Sequence, residues 1–295
     1  MIGRKALGKK NSLPEPLQDA YVWLNRNIAR ADPRPRVLPN FYVAGTQRGG
    51  STSLFIYLLG HELVHGPRRQ KGVHYFDTNF HESVDWFRGN FPLKSTIDAQ
   101  REQHGVLPAV GEGAPYYMFH PTIPQRMHDV TPDARIIVVL REPMARAISH
   151  HNHEVARGNE TLSLVDALEA EHERLEGEAE QIIADSTYVS KPHIWHAYVG
   201  RGQYAPQLQR YFDTFGREQV LVLDSAKLQS EPEATVRTAT DFLGLPALTG
   251  GSYPQYNKRN HDGVDEAIRA KYGPRFDESN ERLREILDPG TLSWL

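Results

Sequence analysis

Residues Phe41 to Leu54, FYVAGTQRGGSTSL, place a glycine-rich turn carrying one cation, Arg48, and three hydroxyls, Ser51, Thr52 and Ser53, directly after a short apolar run. Backbone N–H groups at such a turn converge on an anion, and the positive end of a following helix adds to the attraction. The chemistry it suits is the holding of a phosphate-like group. In the register of nucleotide triphosphatase loops, Gly45 and Gly50 fit G-x-x-x-x-G, but Ser51 stands where the lysine belongs and Thr52 follows it. A loop without the lysine that reaches β- and γ-phosphates is poorly suited to ATP hydrolysis or kinase chemistry. A 5′-phosphate or phosphosulfate asks less of it. The alternative is an ordinary strand-to-helix turn that holds no ligand.

A second segment, RIIVVLRE from Arg135 to Glu142, ends an apolar run with Arg141, and Pro143 then opens a helical stretch containing Ser149. Ligand crevices of open α/β sheets lie at the carboxyl ends of strands, so Arg141 and Ser149 together suit a second phosphate beside the first loop. Read without that context, Arg141 is a surface ion-pair partner and Ser149 a helix residue. His150, His151, His153 and Glu154 cluster nearby, and His193 and His196 lie within one helical turn. His150 with Glu154 could share a helix face, as could His193 with His196, but neither pair has a third ligand at a recognisable spacing, so no metal site is expected.

The elements that must position these residues follow from hydrophobic pattern. Phe41 to Ala44 reads as a buried strand entering a helix capped by Ser51, Thr52 or Ser53 and continuing through Leu58. Arg135–Glu142 and Val220–Asp224 read as further central strands, and Pro232 starts a helix that stops at Gly244. Strands separated by helical stretches imply a single α/β domain, a P-loop-like parallel sheet with helices on both faces. Residues 37–295 form that domain, preceded by a helical arm over 1–36 with Tyr21, Leu24 and Ile28 at helical spacing and Pro33, Pro35 and Pro39 at its boundary. The stretch from Leu162 to Ile183, rich in glutamate, reads as a solvated helix face.

The bulk numbers fit a soluble enzyme of 295 residues without a linker-like stretch. A net charge of −3 and a pI near 6.5 give no general basic footprint for nucleic acid. The chain has no cysteine, which excludes disulfides and thiol chemistry. The basic amino terminus, MIGRKALGKKN, lacks the apolar run of a secretory signal, and no segment approaches membrane-spanning length, so the expected location is the cytoplasm.

Taken together these motifs resemble the sulfotransferase superfamily that uses 3′-phosphoadenosine 5′-phosphosulfate (PAPS), in particular the branch of heparan sulfate sulfotransferase domains and their bacterial relatives. The resemblance runs from about Pro39 to Trp294. GTQRGGSTSL is similar to the 5′-phosphosulfate loop, and VVLREPMARAISHHNH to the 3′-phosphate motif. KGVHYFD (Lys71 to Asp77) resembles the K-E-x-H-F-F-D segment beside the acceptor, GEGAPYY (Gly111 to Tyr117) the segment after it, and YNKRN (Tyr256 to Asn260) the late basic loop.

The resemblance implies that Arg48, Gly49, Gly50, Ser51, Thr52 and Ser53 hold the 5′ end of PAPS. It places Arg141, Ser149, Lys258 and Arg259 at the 3′-phosphate, with Lys71 near the transferring sulfonate. It implies release of 3′,5′-adenosine diphosphate, no metal, and a hydroxyl or amine of a carbohydrate or small-molecule acceptor. Two departures matter. Arg48 replaces a lysine, so help to the leaving group is electrostatic and not proton donation. Gly72 replaces the glutamate that serves as base, which makes His74 the first choice for that role and Glu112 the second. The acceptor cleft is expected around 74–85, 112–119 and the segment near Trp195. A P-loop kinase or ATPase, and a non-catalytic nucleotide-binding relative, are the alternative readings.

Overall fold

The computed structural model describes residues 34–68, 72–248, 250–254 and 266–295. Lys71, Lys258, Arg259 and most of the amino-terminal arm lie outside them. Five parallel strands form one sheet in the order β2-β3-β1-β4-β5. They are β1 (Phe41–Gly45), β2 (Val64–His65), β3 (Ala109–Gly113), β4 (Arg135–Leu140) and β5 (Val220–Asp224). The helices that bear on the site are α1 (Ser51–Leu58), α2 (Pro143–Ala156), α3 (Leu164–Leu175), α4 (Tyr204–Phe215) and α5 (Pro232–Phe242).

Both faces of the sheet are covered, which is why its strands read as unbroken apolar runs. Side chains alternate across a strand. Tyr42 and Ala44 of β1, with Ile136, Val138 and Leu140 of β4, pack with Tyr204, Leu208 and Tyr211 of α4 on one face. Phe41 and Val43, with Ile137 and Val139, pack with Leu54, Phe55 and Leu58 of α1 and Val236 and Ala239 of α5 on the other. The expected parallel sheet with helices on both faces is the fold observed.

Strands β2 and β3 escape a reading by pattern. The first is two residues long, and the second, AVGEG, carries two glycines and a glutamate that argue against a strand. Gly111 is there because a Cβ would stand 2.4 Å from the carbonyl oxygen of Phe41 on the neighbouring strand. Arg36, at the end of the expected helical arm, is instead in extended chain: it bridges to Leu93, and its Nη1 donates to the carbonyl of Phe91 at 2.6 Å.

The acidic stretch is two helices, α3 and a shorter one over Glu178–Ala184, and one of its carboxylates departs from the expected solvated face. Glu171 is buried and accepts from the backbone N–H of Val199 and Gly200 at 2.6 and 2.8 Å, capping the turn at Gly200–Gly202. A carboxylate is favourable there because those N–H groups have no partner within the turn.

Candidate active site

The chain turns back from β1 to β2 and β3 on one side, and goes on to β4 and β5 on the other. That reversal opens a crevice at the carboxyl ends of β1 and β4. The glycine loop fills the β1 side. The helix expected to be capped by a hydroxyl is entered instead through Gly50, whose φ of 103° only glycine adopts readily, and no side chain caps it. Ser51 turns its Oγ back to the carbonyl of Thr46 at 3.5 Å, while Thr52 and Ser53 sit half-buried in the first turn. Gly49 is packed so tightly that a Cβ would lie 2.4 Å from the carbonyl of Val139 and 2.6 Å from Cγ2 of Thr46. Gly49→Ala must therefore displace backbone, and a loss of about 1–3 kcal/mol in stability together with loss of anion binding is expected. Denaturant unfolding and calorimetry on the variant check this.

Arg141 and Ser149 arrive from the β4 side. Nε of Arg48 donates to Oγ of Ser149 at 3.0 Å, and Nη1 of Arg141 donates to the carbonyl of Arg48 at 3.5 Å. The end of β4 is fixed by Tyr204, whose hydroxyl donates to the carbonyl of Arg141 at 2.8 Å. Glu142 caps α2 by accepting from the N–H groups of Met144 and Ala145, each at 2.7 Å, which sets the helix that presents Ser149. Two cations and a hydroxyl from segments far apart in sequence thus converge on one spot.

His74 comes from the loop after residue 72. Its Nδ1 lies 2.8 Å from Oδ2 of Asp77, and its side chain is 45% exposed against 2% for Asp77. A carboxylate only accepts, so Nδ1 carries the proton and Nε2 is the basic nitrogen of the ring. Burial raises the Asp77 carboxyl, but the charge and hydrogen bond of His74 and the N–H of Thr78 outweigh it and leave it below its usual range. A Cβ on Gly72 would meet the carbonyl oxygen of Gly113 at 3.1 Å and Nε2 of His74 at 3.3 Å, so a side chain at 72 would press on both. Among the described residues, Arg48 (φ 68°) and His74 (φ 56°) are the non-glycine residues with a left-handed backbone. Such conformations persist where the surroundings over-determine them, and they gather at sites of function.

A family model described as Sulfotransferase domain matches residues 38–260. The chain belongs to that family. The bifunctional heparan sulfate N-deacetylase/N-sulfotransferase 1 of Caenorhabditis elegans is 24% identical to this sulfotransferase-family chain over 85% of it. The mouse heparan sulfate glucosamine 3-O-sulfotransferase 3A1 is 26% identical over 77% of it. The chain spans 28% and 51% of the lengths of these two relatives. Among solved structures, a sulfotransferase from Alicyclobacillus acidocaldarius superimposes with a TM-score of 0.61 at 29% identity, covering 85% of this chain and 96% of that one.

Glu112, on β3 of this sulfotransferase domain, has no exposed surface, and both oxygens are engaged. Oε2 accepts from the N–H of Val73 at 2.5 Å and Oε1 from the hydroxyl of Tyr117 at 2.7 Å. Burial pushes its carboxyl up to about 7 against the pull of those two donors and of His74. The residue thus braces the loop that leads into His74. Tyr75, Phe76, Tyr116 and Tyr117, which could have stacked on a sugar, are buried, and Tyr75 stacks on Phe87 with centroids 4.5 Å apart.

The segments expected around the acceptor do meet. Tyr117 faces His74 at 6.4 Å between centroids, and the hydroxyl of Tyr116 reaches Nδ1 of His193 at 2.7 Å. Burial and neighbouring cations push His193 down to about 3 and His120 down to about 4, so both are neutral at ordinary pH. Sequence reasoning passes over Asp77, although it lies at the end of the quoted KGVHYFD motif, and over Gln47 and Arg201, whose nearness no local pattern signals. No described group of three or more His, Cys, Asp or Glu residues is arranged to hold a metal, and no described helix is long and apolar enough to cross a membrane.

Proposed function

We propose that this chain transfers the sulfonate of PAPS to a hydroxyl or amine of a carbohydrate or small-molecule acceptor. The observation that carries the reading is the convergence of Arg48, Arg141 and Ser149, from two motifs roughly a hundred positions apart, at the carboxyl ends of β1 and β4. The donor set fits a nucleotide with separated anionic groups: a glycine loop whose Gly49 a Cβ would crowd, two guanidiniums and a hydroxyl. Bound PAPS would supply the sulfonate and leave as 3′,5′-adenosine diphosphate. Gly49, Gly50 and the hydroxyls of Ser51, Thr52 and Ser53 would hold its 5′ end, and Arg141 and Ser149 its 3′-phosphate. Lys71, Lys258 and Arg259 keep the roles the family resemblance gives them.

Nε2 of His74 takes the proton of the attacking hydroxyl or amine, and Asp77 holds the imidazolium that results. Arg48 donates hydrogen bonds to negative charge developing on the departing phosphate oxygen, a role that does not require it to lose a proton. Glu112, fully buried and committed to Val73 and Tyr117, is the weaker choice of base and the better one for a brace.

Calorimetric titration with 3′,5′-adenosine diphosphate, ATP and 5′-AMP tests the reading. Selective binding of the 3′,5′-diphosphate is expected, weakened tenfold or more in Arg141→Ala, since a hydrogen bond to a charged group contributes about 1.5–3 kcal/mol. Equal or tighter binding of ATP would sink it. Sulfonation of any acceptor in a panel of sugars and small alcohols and amines would establish turnover.

A further inference from the structure

Behind the phosphate loop lies a seam of buried and half-buried polar side chains that the mechanism above leaves unused. Gln47, immediately before Arg48, has its amide held at both ends. Its Nε2 donates to Oε1 of Glu154 at 3.3 Å, and its Oε1 accepts from Nη1 of Arg201. Both partners are anchored. Arg201 is 2% exposed; its Nη2 donates to the carbonyls of His193 and Ile194 at 3.0 and 2.6 Å. Its guanidinium lies 4.9 and 5.3 Å from the ring centroids of Tyr116 and Phe119. Glu154, also 2% exposed, accepts from Nδ2 of Asn159 at 2.7 Å and sits on α2, the helix that presents Ser149.

A primary amide of this length is the side chain that can bridge a guanidinium and a carboxylate, because it offers an acceptor at one end and donors at the other. Glutamate would set two carboxylates together, and asparagine is a methylene shorter. A locked Gln47 also limits the backbone of the next residue, Arg48, which holds a left-handed conformation that an arginine does not favour.

We infer that Gln47 is a positioning residue: clamped between Arg201 and Glu154, it holds the phosphate loop and Arg48 in the arrangement that receives the 5′ end of the co-substrate. The 3′ end, held by Arg141 and Ser149, has anchors of its own in Tyr204 and in the Glu142 cap of α2, so the clamp bears on it less. The inference rests on the PAPS reading above and adds to it a division of labour between the two phosphates. It also ties the loop to the 193–201 segment, which includes the stretch near Trp195 expected to border the acceptor.

The test compares the affinities of 3′,5′-adenosine diphosphate and adenosine 3′-phosphate, measured by calorimetry, in wild type, Gln47→Met, Gln47→Glu, Glu154→Gln and the double variant Q47E/E154Q. Methionine keeps the shape and removes both hydrogen bonds. The expected result for Gln47→Met is a roughly tenfold loss for the diphosphate with the 3′-phosphate within about twofold of wild type, and a fall of about 10²-fold in kcat with little change in acceptor KM. Q47E sets a second carboxylate against that of Glu154 and should lose more. The swapped pair restores one donor and one acceptor, so the double variant should recover most of the loss.

An unchanged affinity ratio in Gln47→Met overturns the inference. So does a double variant that regains the wild-type melting temperature but not the ratio, since that would make the seam structural only. A wild type that fails to prefer 3′,5′-adenosine diphosphate to ATP defeats the PAPS reading itself, and this is read from the wild type alone.

Discussion

His74→Ala lowers turnover by about 10³-fold while leaving the affinity for 3′,5′-adenosine diphosphate within about twofold of wild type, the effect expected for loss of a general base. The separation follows from position. His74 is half-exposed on the loop after residue 72 and pairs with Asp77, whereas the nucleotide-holding groups Arg48, Arg141 and Ser149 stand at the ends of β1 and β4. Asp77→Asn should mimic part of the loss, because an amide can donate to Nδ1 and so favour the tautomer with its proton on Nε2. Rates of sulfonation with each variant, measured against pH, distinguish the two. Loss of a base depresses the whole profile, and a wrong tautomer leaves residual activity that grows with pH. Near-normal turnover in His74→Ala would remove the residue from the mechanism and return Glu112 to consideration.

The second large effect is on stability. Burial raises the Glu112 carboxyl from an ordinary 4.5 to about 7 in the folded chain. Between those values the native protein retains a proton that the unfolded chain has released, so stability falls as pH rises. The contribution is fully present below about pH 4.5 and gone above about pH 7, and its size is about 3 kcal/mol. Glu112→Gln removes the titration while keeping an acceptor for the N–H of Val73, so its unfolding free energy should lack this decline. Urea unfolding of both proteins at intervals from about pH 5 to 8 checks the prediction. Parallel curves would show that Glu112 titrates normally and carries no pH-dependent strain. The same carboxyl braces the approach to His74, so a fall in activity with full nucleotide binding is also expected in this variant.

Three of the five strands are legible directly, because β1, β4 and β5 are apolar runs buried on both faces and local composition alone identifies such runs. β3 is not. Its Gly111 answers to the carbonyl of Phe41 on the next strand, and its Glu112 to an N–H and a hydroxyl supplied by the fold. The start of α1 differs from the expected hydroxyl cap for a related reason. Three hydroxyls follow the loop, but the backbone at Gly50 turns left-handed and directs the chain into the helix before any of them reaches a capping position. Glu171 shows the reverse case, a residue that composition assigns to solvent and that tertiary structure recruits to cap a distant turn.

Residue types and their near neighbours carry the chemistry of the parts, a glycine turn suited to an anion and an arginine at a strand end, while His74 is singled out by the resemblance of KGVHYFD to a family motif. The first two are legible because turn geometry and the apolar run of a buried strand are written in local sequence. Which parts meet is set by the folded chain. Arg48 reaches Ser149 because β1 and β4 are adjacent in the sheet, and Gln47 reaches Arg201 because the 193–201 segment folds back over Tyr116 and Phe119. Contacts between positions a hundred or more residues apart follow from the strand order and the packing of the long connection between β4 and β5, and no local pattern encodes either.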